Sequence, residues 1–143
     1  MRKKALDYLA RREHSRTELK EKLLKREFST EEIEPLLDQL QAENLQSDRR
    51  FAEAYVRSRL QRGFGPRVIE QELQQRGIEQ VLTQDVFCTM EVDWQDRLAG
   101  VWRKKFGQLP EGAAGYARQY RFLLQRGFCP DTVRQLLKEL QNG

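Results

Sequence analysis

The chain has 143 residues, of which 34% are charged and 38% are hydrophobic, and its formal net charge is +4 at pH 7. These proportions suit one folded domain or a short array of repeats. No stretch of about 18 apolar residues occurs, and the charged N-terminus lacks an apolar signal core. We therefore expect a cytoplasmic protein that does not enter a membrane.

Local signals predict helices along the whole chain and no strand. Ser15 and Ser29 each begin an S-x-x-E capping box, and Ser47 with Asp48 caps a further helix. Gly63 ends that helix, and Pro66 suits the first turn of the next. The predicted helices lie near residues 2–12, 16–27, 30–43, 48–62, 66–76, 79–90, 93–107, 111–126 and 130–142.

One seven-residue motif occurs twice, as LQRGFGP at residues 60–66 and as LQRGFCP at residues 124–130. We refer to it as the repeated phrase. In both copies a helix ends at Arg, the chain turns at Gly, Phe is buried and Pro opens a new helix. A weaker copy lies 50 residues earlier, with Ser15 in the place of Gly65 and Leu19 in the place of Ile69. The pattern is an internal repeat of a helix-turn-helix unit, and units this small should stack on their neighbours.

The repeat predicts an all-α fold of tandem three-helix modules, at residues 1–46, 47–91 and 92–143. The wider second interval holds an extra helix with Trp94, Leu98 and Trp102, in which both tryptophans are expected to be core residues. The third copy then lacks the last helix of its repeat.

Basic residues recur at equivalent module positions and are the candidates for binding. Arg57 is equivalent to Arg121, and Arg62 to Arg126, so a ladder of charge could follow a periodic partner such as phosphates or filament protomers. Arg59 is interpreted as either structural, paired with Glu72 or Asp48, or binding. The binding candidates are Arg57, Arg62, Arg67, Arg103, Lys104, Lys105, Arg118, Arg121 and Arg126.

Catalytic and metal chemistry find little support in the sequence. His14 is the single histidine and lies just before a helix cap, where a structural role is the better interpretation. Cys88 and Cys129 form neither a CxxC pair nor a metal quartet, and both are expected to be reduced, packed thiols. We expect no enzyme activity, no cofactor and no metal.

A longer spaced pattern resembles the central motif of the RecX family of bacterial recombination regulators. The opening ALDYLARREHSRTELKEKL is similar to the first module of that family, and FLLQRGFCPDTV is similar to the last. The central pattern consists of Asp48, Arg50-Phe51-Ala52, Tyr55-Val56, Ser58-Arg59, Gly63, Gly65-Pro66, Ile69, Glu72-Leu73 and Gly77-Ile78.

The resemblance implies tandem three-helix modules in an elongated, curved array. It also implies binding to the RecA recombinase, mainly as a filament on DNA, and inhibition of its ATPase, strand-exchange and coprotease activities within the SOS response. Weak, non-specific binding to single- or double-stranded DNA and a monomeric state are further expectations. The family has no catalytic residues to transfer, and its motif does not say which basic residue contacts RecA and which contacts DNA.

Two alternatives stay open at this point. A helix-turn-helix DNA-binding protein would read bases from the helix starts at Arg16-Thr17, Pro66-Arg67 and Pro130-Asp131. Those starts differ from one another, and Asp131 would repel phosphate. A structural helical adaptor for another protein is the second alternative.

Overall fold

The chain folds into nine α-helices and contains no strand, as shown by a computed structural model that describes residues 1–143. The all-α prediction is confirmed, and the helix ends lie within about two residues of those predicted, inside the usual variation of helix boundaries. None of the helices combines the length and the hydropathy that crossing a lipid bilayer requires. The helices are α1 (Arg2–Arg11), α2 (Arg16–Lys25), α3 (Thr30–Ala42), α4 (Asp48–Gln61), α5 (Pro66–Gln75), α6 (Gln80–Thr89), α7 (Trp94–Lys105), α8 (Gly112–Gln125) and α9 (Pro130–Asn142).

The two predicted capping boxes differ in the structure. At Ser15, the hydroxyl accepts the N–H of Glu18 at 3.1 Å, and the Glu18 carboxylate accepts the N–H of Ser15 at 3.2 Å. The Ser29 hydroxyl accepts the N–H of Glu32 at 3.2 Å, but the Glu32 side chain makes no return bond. The second capping box is therefore only half formed, although its serine still satisfies one of the free N–H groups at the helix start.

By their internal contacts the residues form two compact units. Unit 1 comprises residues 1–55 and 72–90, and unit 2 comprises residues 56–71 and 91–143. The predicted modules at 1–46, 47–91 and 92–143 describe the sequence repeat and stay a prediction.

Unit 1 has a core in which α2 packs on both α1 and α3. Its central side chains are fully buried, as the apolar spacing of these helices predicts. Tyr8 and Phe28 pack against the edge of this core. The buried set is Ala5, Leu19, Leu23, Ile33, Leu36, Leu37 and Leu40.

Unit 2 has its core where α9 packs on α7 and α8. Trp102 is buried, and its indole N–H donates to the side-chain oxygen of Gln119 at 2.8 Å. The Gln119 amide in turn donates to the carbonyl of Gln108 at 3.0 Å, so these buried polar groups are satisfied. Trp94 packs against the same core while partly exposed, so both tryptophans take the predicted core role. The buried set is Leu98, Trp102, Leu123, Phe128, Val133 and Leu137.

Helix-ending turns place several residues in the left-handed region, and not all of them are glycine. Gly63, Gly77 and Gly127 have φ values of 82°, 82° and 99°. Glu27 is the equivalent of Gly77 in the repeat, yet it adopts a φ of 68°. A side chain with a Cβ is strained in this region, so the first module carries a local cost that the second avoids.

The Glu27→Gly substitution should stabilise the protein by about 0.5 to 1 kcal/mol, because it removes strain of about 1–2 kcal/mol while adding about 0.5–1 kcal/mol of unfolded-state entropy. Denaturant unfolding monitored by circular dichroism measures this difference. Glu21→Gly, inside α2, is the matched control and should destabilise by about 1 kcal/mol. Equal destabilisation by both substitutions would contradict the assignment of strain to residue 27.

His14 is a buried structural residue, with 1% of its surface exposed. Its Nδ1 donates to the carbonyl of Arg12 at 3.0 Å, and its Nε2 accepts from the Lys22 ammonium at 2.7 Å. Burial lowers the pKa of His14, and the positive charges of Arg12 and Lys22 lower it further, against opposing effects from the Arg12 carbonyl and Glu18. The neutral imidazole is thus the form that the fold accommodates.

Stability should fall as the pH drops below the usual histidine pKa of about 6.5, because the unfolded chain then binds a proton that the folded chain resists. Unfolding free energies measured from about pH 7.5 to pH 5.5 should decrease for the wild type. The decrease should be smaller for His14→Gln, which cannot titrate. Identical pH slopes for the two proteins would show that His14 carries no such linkage.

Candidate functional site

The two copies of the repeated phrase meet backbone to backbone within unit 2. The N–H of Gly65 donates to the carbonyl of Arg126 at 2.7 Å, and the N–H of Arg67 donates to the carbonyl of Gly127 at 2.9 Å. Neither bond belongs to a helix. They join the turn that follows α4 to the turn that follows α8.

This contact requires glycine at both positions. A Cβ placed on Gly65 would lie 2.6 Å from the carbonyl carbon of Gly127, and one placed on Gly127 would lie 2.7 Å from the backbone nitrogen of Val68. Real Cβ atoms do not approach backbone atoms so closely. Gly65 stands where the second copy has Cys129, and Gly127 is equivalent to Gly63, so the contact joins two non-equivalent positions at which the turns must touch without side chains between them.

Beside this contact unit 2 has an open cleft of about 580 Å³. Its apolar lining includes Leu60, Val101 and the buried Phe128. Asp96 contributes one carboxylate to the lining. Five cationic side chains line the cleft, namely Arg62, Arg97, Lys104, Lys105 and Arg126.

Cations and aromatic rings alternate along this cleft. The guanidinium of Arg126 lies 5.0 Å from the ring centre of Phe64 and 5.3 Å from that of Phe122. Arg59 lies over the Phe64 ring at 5.1 Å, and Lys105 lies over the Phe122 ring at 5.0 Å. Such contacts attract the cation through the ring quadrupole and hold its side chain in place. We refer to these five residues as the cation–aromatic stack.

The stack corrects one expectation about the repeated phrase. Phe128 is fully buried in the core, as predicted, but its equivalent Phe64 is only half-buried, and its ring contacts two guanidinium groups. The contact of Arg59 with Phe64 is a local packing role for that arginine.

Arg126 is fixed from a second direction as well. Its Nη1 donates to the carbonyl of Arg62 at 3.1 Å. The two arginines that are equivalent in the repeat therefore lie at one cleft. The side chain of Arg126 is oriented by its hydrogen bond to the backbone of Arg62. The remaining donors of the Arg126 fork are available to an anion, since the guanidinium group carries five.

The structure brings some of the predicted binding residues together and not others. Arg62, Lys104, Lys105 and Arg126 line the cleft. The other candidates are exposed on helices α4, α5, α7 and α8, outside its lining, and their binding role stays a prediction. These are Arg57, Arg67, Arg103, Arg118 and Arg121.

Sequence reasoning missed Arg97 and the two half-buried rings. Arg97 lies seven residues before Lys104 on α7, and Val101 lies between them at helical spacing, so all three share one helix face. That spacing is visible in the sequence and could have revealed Arg97. The half-exposure of Phe64 and Phe122 depends on tertiary packing and leaves no such signal.

The two units differ in charge. Unit 1 has 13 Lys and Arg against 15 Asp and Glu, a net charge of −2, and unit 2 has 13 against 7, a net charge of +6. Many cations of unit 1 are neutralised by ion pairs, for example Arg12 with Glu18 at 3.0 Å and Lys20 with Glu34 at 2.7 Å. The five cations of the cleft form no ion pair with a carboxylate of the chain.

The two cysteines are free thiols, and the prediction that both are packed is wrong for Cys88. Cys88 is exposed on α6, whereas Cys129 is half-buried at the start of α9. The apolar face of α6 is supplied by Val86 and Phe87, which directs the neighbouring residue 88 to solvent. No group of three or more His, Cys, Asp or Glu side chains is arranged to hold a metal ion.

Comparison with known proteins places this helical chain in a family. Its sequence matches the family models for the first, second and third three-helix domains of RecX, at residues 2–40, 47–86 and 91–137. The chain belongs to the RecX family. The curated relatives include the regulatory protein RecX of Pseudomonas putida strain GB-1, which is 45% identical over 96% of this chain and 88% of its own length. RecX of Pseudomonas syringae pv. tomato is 44% identical over 96% of this chain and 89% of its own length.

Solved RecX structures share the fold. The crystal structure of RecX from Lactobacillus salivarius has a TM-score of 0.85 at 23% identity, covering 99% of this chain and 95% of its own. A second RecX crystal structure has a TM-score of 0.76 at 26% identity, covering 96% of this chain and 71% of its own. The all-α architecture of three-helix domains is thus that of RecX.

Substituting Gly65 by alanine should destabilise the protein by about 2 kcal/mol or more, because the new Cβ would press on the backbone of the opposite turn. Thermal or denaturant unfolding measures the loss. Gly100→Ala is the matched control in the same unit, since a Cβ there meets nothing within 4 Å. That control should stabilise by about 0.5–1 kcal/mol, as expected inside a helix. An unchanged stability of Gly65→Ala would show that the two turns do not depend on each other.

Proposed function

We propose that this RecX protein is a negative regulator of the RecA recombinase that acts in the cytoplasm as a monomer. It binds the RecA–DNA filament along its groove. There it inhibits ATPase, strand exchange and coprotease activity, by blocking filament extension or by promoting disassembly. Membership of the RecX family over nearly the whole chain supports the class of function.

The mechanism we propose needs no catalytic group. Tandem helical modules contact more than one protomer of the filament and hold them in one conformation. The changes of conformation that ATP turnover requires are then opposed by the binding free energy of the regulator. The modules would be those at residues 1–46, 47–91 and 92–143.

The observation that carries the proposal is the concentration of unpaired positive charge in unit 2. Five cations line one cleft without a carboxylate partner, while seven of the 13 cations of unit 1 are paired with carboxylates of the chain. A site of this kind attracts an anionic surface and accelerates its association. RecA carboxylates and DNA phosphates both meet that description. Arg57, Arg67, Arg103, Arg118 and Arg121 would extend the contact beyond the cleft.

Sequence-specific DNA reading is the less favoured function. At the start of α2, the Arg16 guanidinium contacts Glu34 at 2.7 Å and Asp38 at 2.8 Å. Its backbone N–H donates to the carboxylate of Asp48 at 2.9 Å. At the start of α9, Asp131 forms an ion pair with Arg134. A recognition helix needs free side chains at its start, and these two starts carry intramolecular pairs instead.

Titration of this protein into RecA ATPase on single-stranded DNA tests the proposal. The wild type should inhibit at less than one molecule per RecA protomer. Lys104→Glu/Lys105→Glu should require about tenfold more protein, because charge reversal turns attraction into repulsion. Arg57→Glu/Arg121→Glu tests the predicted ladder in the same way.

Lys3→Glu/Lys25→Glu is the matched control, because it makes the same charge change at exposed lysines of unit 1. Inhibition by the control at wild-type concentrations would locate the contact in unit 2. If every variant inhibits equally, the function stands and the site assignment is wrong. If the wild type leaves ATPase unchanged at saturation but binds DNA alone, direct action on DNA replaces regulation of RecA.

A further inference from the structure

Gly100 is a glycine that the fold itself does not explain. It lies in the interior of α7, where glycine is less stable than alanine because of its greater backbone freedom in the unfolded chain. A Cβ added at this position would meet nothing within 4 Å. Gly65 and Gly127, by contrast, are required by backbone contacts. The space in front of Gly100 belongs to the cleft, so its bare backbone is presented to whatever occupies that cleft.

The composition of the cleft is that expected of a binding site for a peptide that carries both apolar and acidic groups. Leu60 and Val101 supply aliphatic lining, and Val101 lies against the turn at Gly63. Five cations line the same cleft without carboxylate partners. An apolar side chain against the aliphatic residues and carboxylates on the cations would satisfy both parts at once.

Nucleic acid fits this arrangement less well. Single-stranded DNA binds proteins by stacking its bases on open aromatic faces and placing its phosphates in a basic groove. Here Phe64 and Phe122 each already carry two cations of the cation–aromatic stack over the ring. The carboxylate of Asp96 also lines the cleft, where it can accept a hydrogen bond from a peptide N–H, which a phosphate group cannot supply.

We infer that the cleft of unit 2 receives an acidic peptide segment of the protein partner, whose backbone crosses Gly100 and whose apolar side chain rests on Leu60 and Val101. The flanking carboxylates of the segment bind Arg126 and the neighbouring lysines. The inference rests on the proposed function in one respect, since it assigns this cleft to the protein part of the filament and not to its DNA.

Fluorescence anisotropy with three labelled probes tests the inference on the full chain without RecA. The probes are a short peptide in which glutamates flank one phenylalanine, the same peptide with every glutamate replaced by glutamine, and an oligothymidylate of similar length. The wild type should bind the acidic peptide, and bind the glutamine peptide and the oligothymidylate at least about tenfold more weakly.

Gly100→Trp fills the cleft and should weaken binding of the acidic peptide by about tenfold or more, whereas Gly100→Ala, which adds only a methyl group, should weaken it less. Circular dichroism and thermal unfolding of both variants show whether α7 stays folded. Lys104→Glu/Lys105→Glu should also lose binding, and Lys3→Glu/Lys25→Glu should keep it.

Unchanged peptide binding by a folded Gly100→Trp variant would overturn the inference, because the peptide would then lie elsewhere. Tighter binding of oligothymidylate than of peptide, lost in Gly100→Trp, would also overturn it and assign the cleft to nucleic acid. A wild type that binds the peptide in the cleft but leaves RecA ATPase unchanged would refute the proposed function and leave this inference standing.

Discussion

The contact between the turns at Gly65 and Gly127 is the constraint on which unit 2 depends. Two backbone hydrogen bonds cross it, and neither turn has room for a side chain at the point of closest approach. In each of the two turns an arginine directly follows the last residue of the helix, so their contact brings Arg62 and Arg126 to the same place. The repeated letters thus supply both arginines, whereas the packing contact also needs Gly65, the one position at which the second copy differs.

Most of the fold could be predicted because its signals are local. Ser15, Gly63 and Pro66 mark helix ends through bonds and dihedral angles that involve only a few neighbouring residues. Two local features were nevertheless not predicted. The reciprocal half of the Ser29 capping box does not form, and Glu27 adopts a left-handed conformation that its side chain disfavours.

The candidate site was predicted only in part, because its geometry depends on contacts between residues that are far apart in the sequence. The repeat identified Arg62 and Arg126 as equivalent, but equivalence within a repeat does not say that two residues are neighbours. Their proximity follows from the packing of one turn on another. Phe64 and Phe128 show the limit most clearly, because identical local sequence produces one ring in the core and one beside solvent. Burial depends on what packs above each turn, and the repeated letters carry no information about that.

If the protein regulates its partner without catalysis, as we propose, it acts only through its binding free energy, and the cation–aromatic stack bears on that quantity. Immobilising a long side chain on association costs about 0.5–1.5 kcal/mol, and arginine is among the costlier residues to order. Arg126 meets much of this cost in the free protein, because Phe64, Phe122 and the carbonyl of Arg62 already hold it. Exposed residues such as Arg57 and Arg121 have no such support and must be ordered by the partner. At equal charge, the cleft should therefore contribute more to affinity than the outlying arginines, whose main effect is on the rate of encounter.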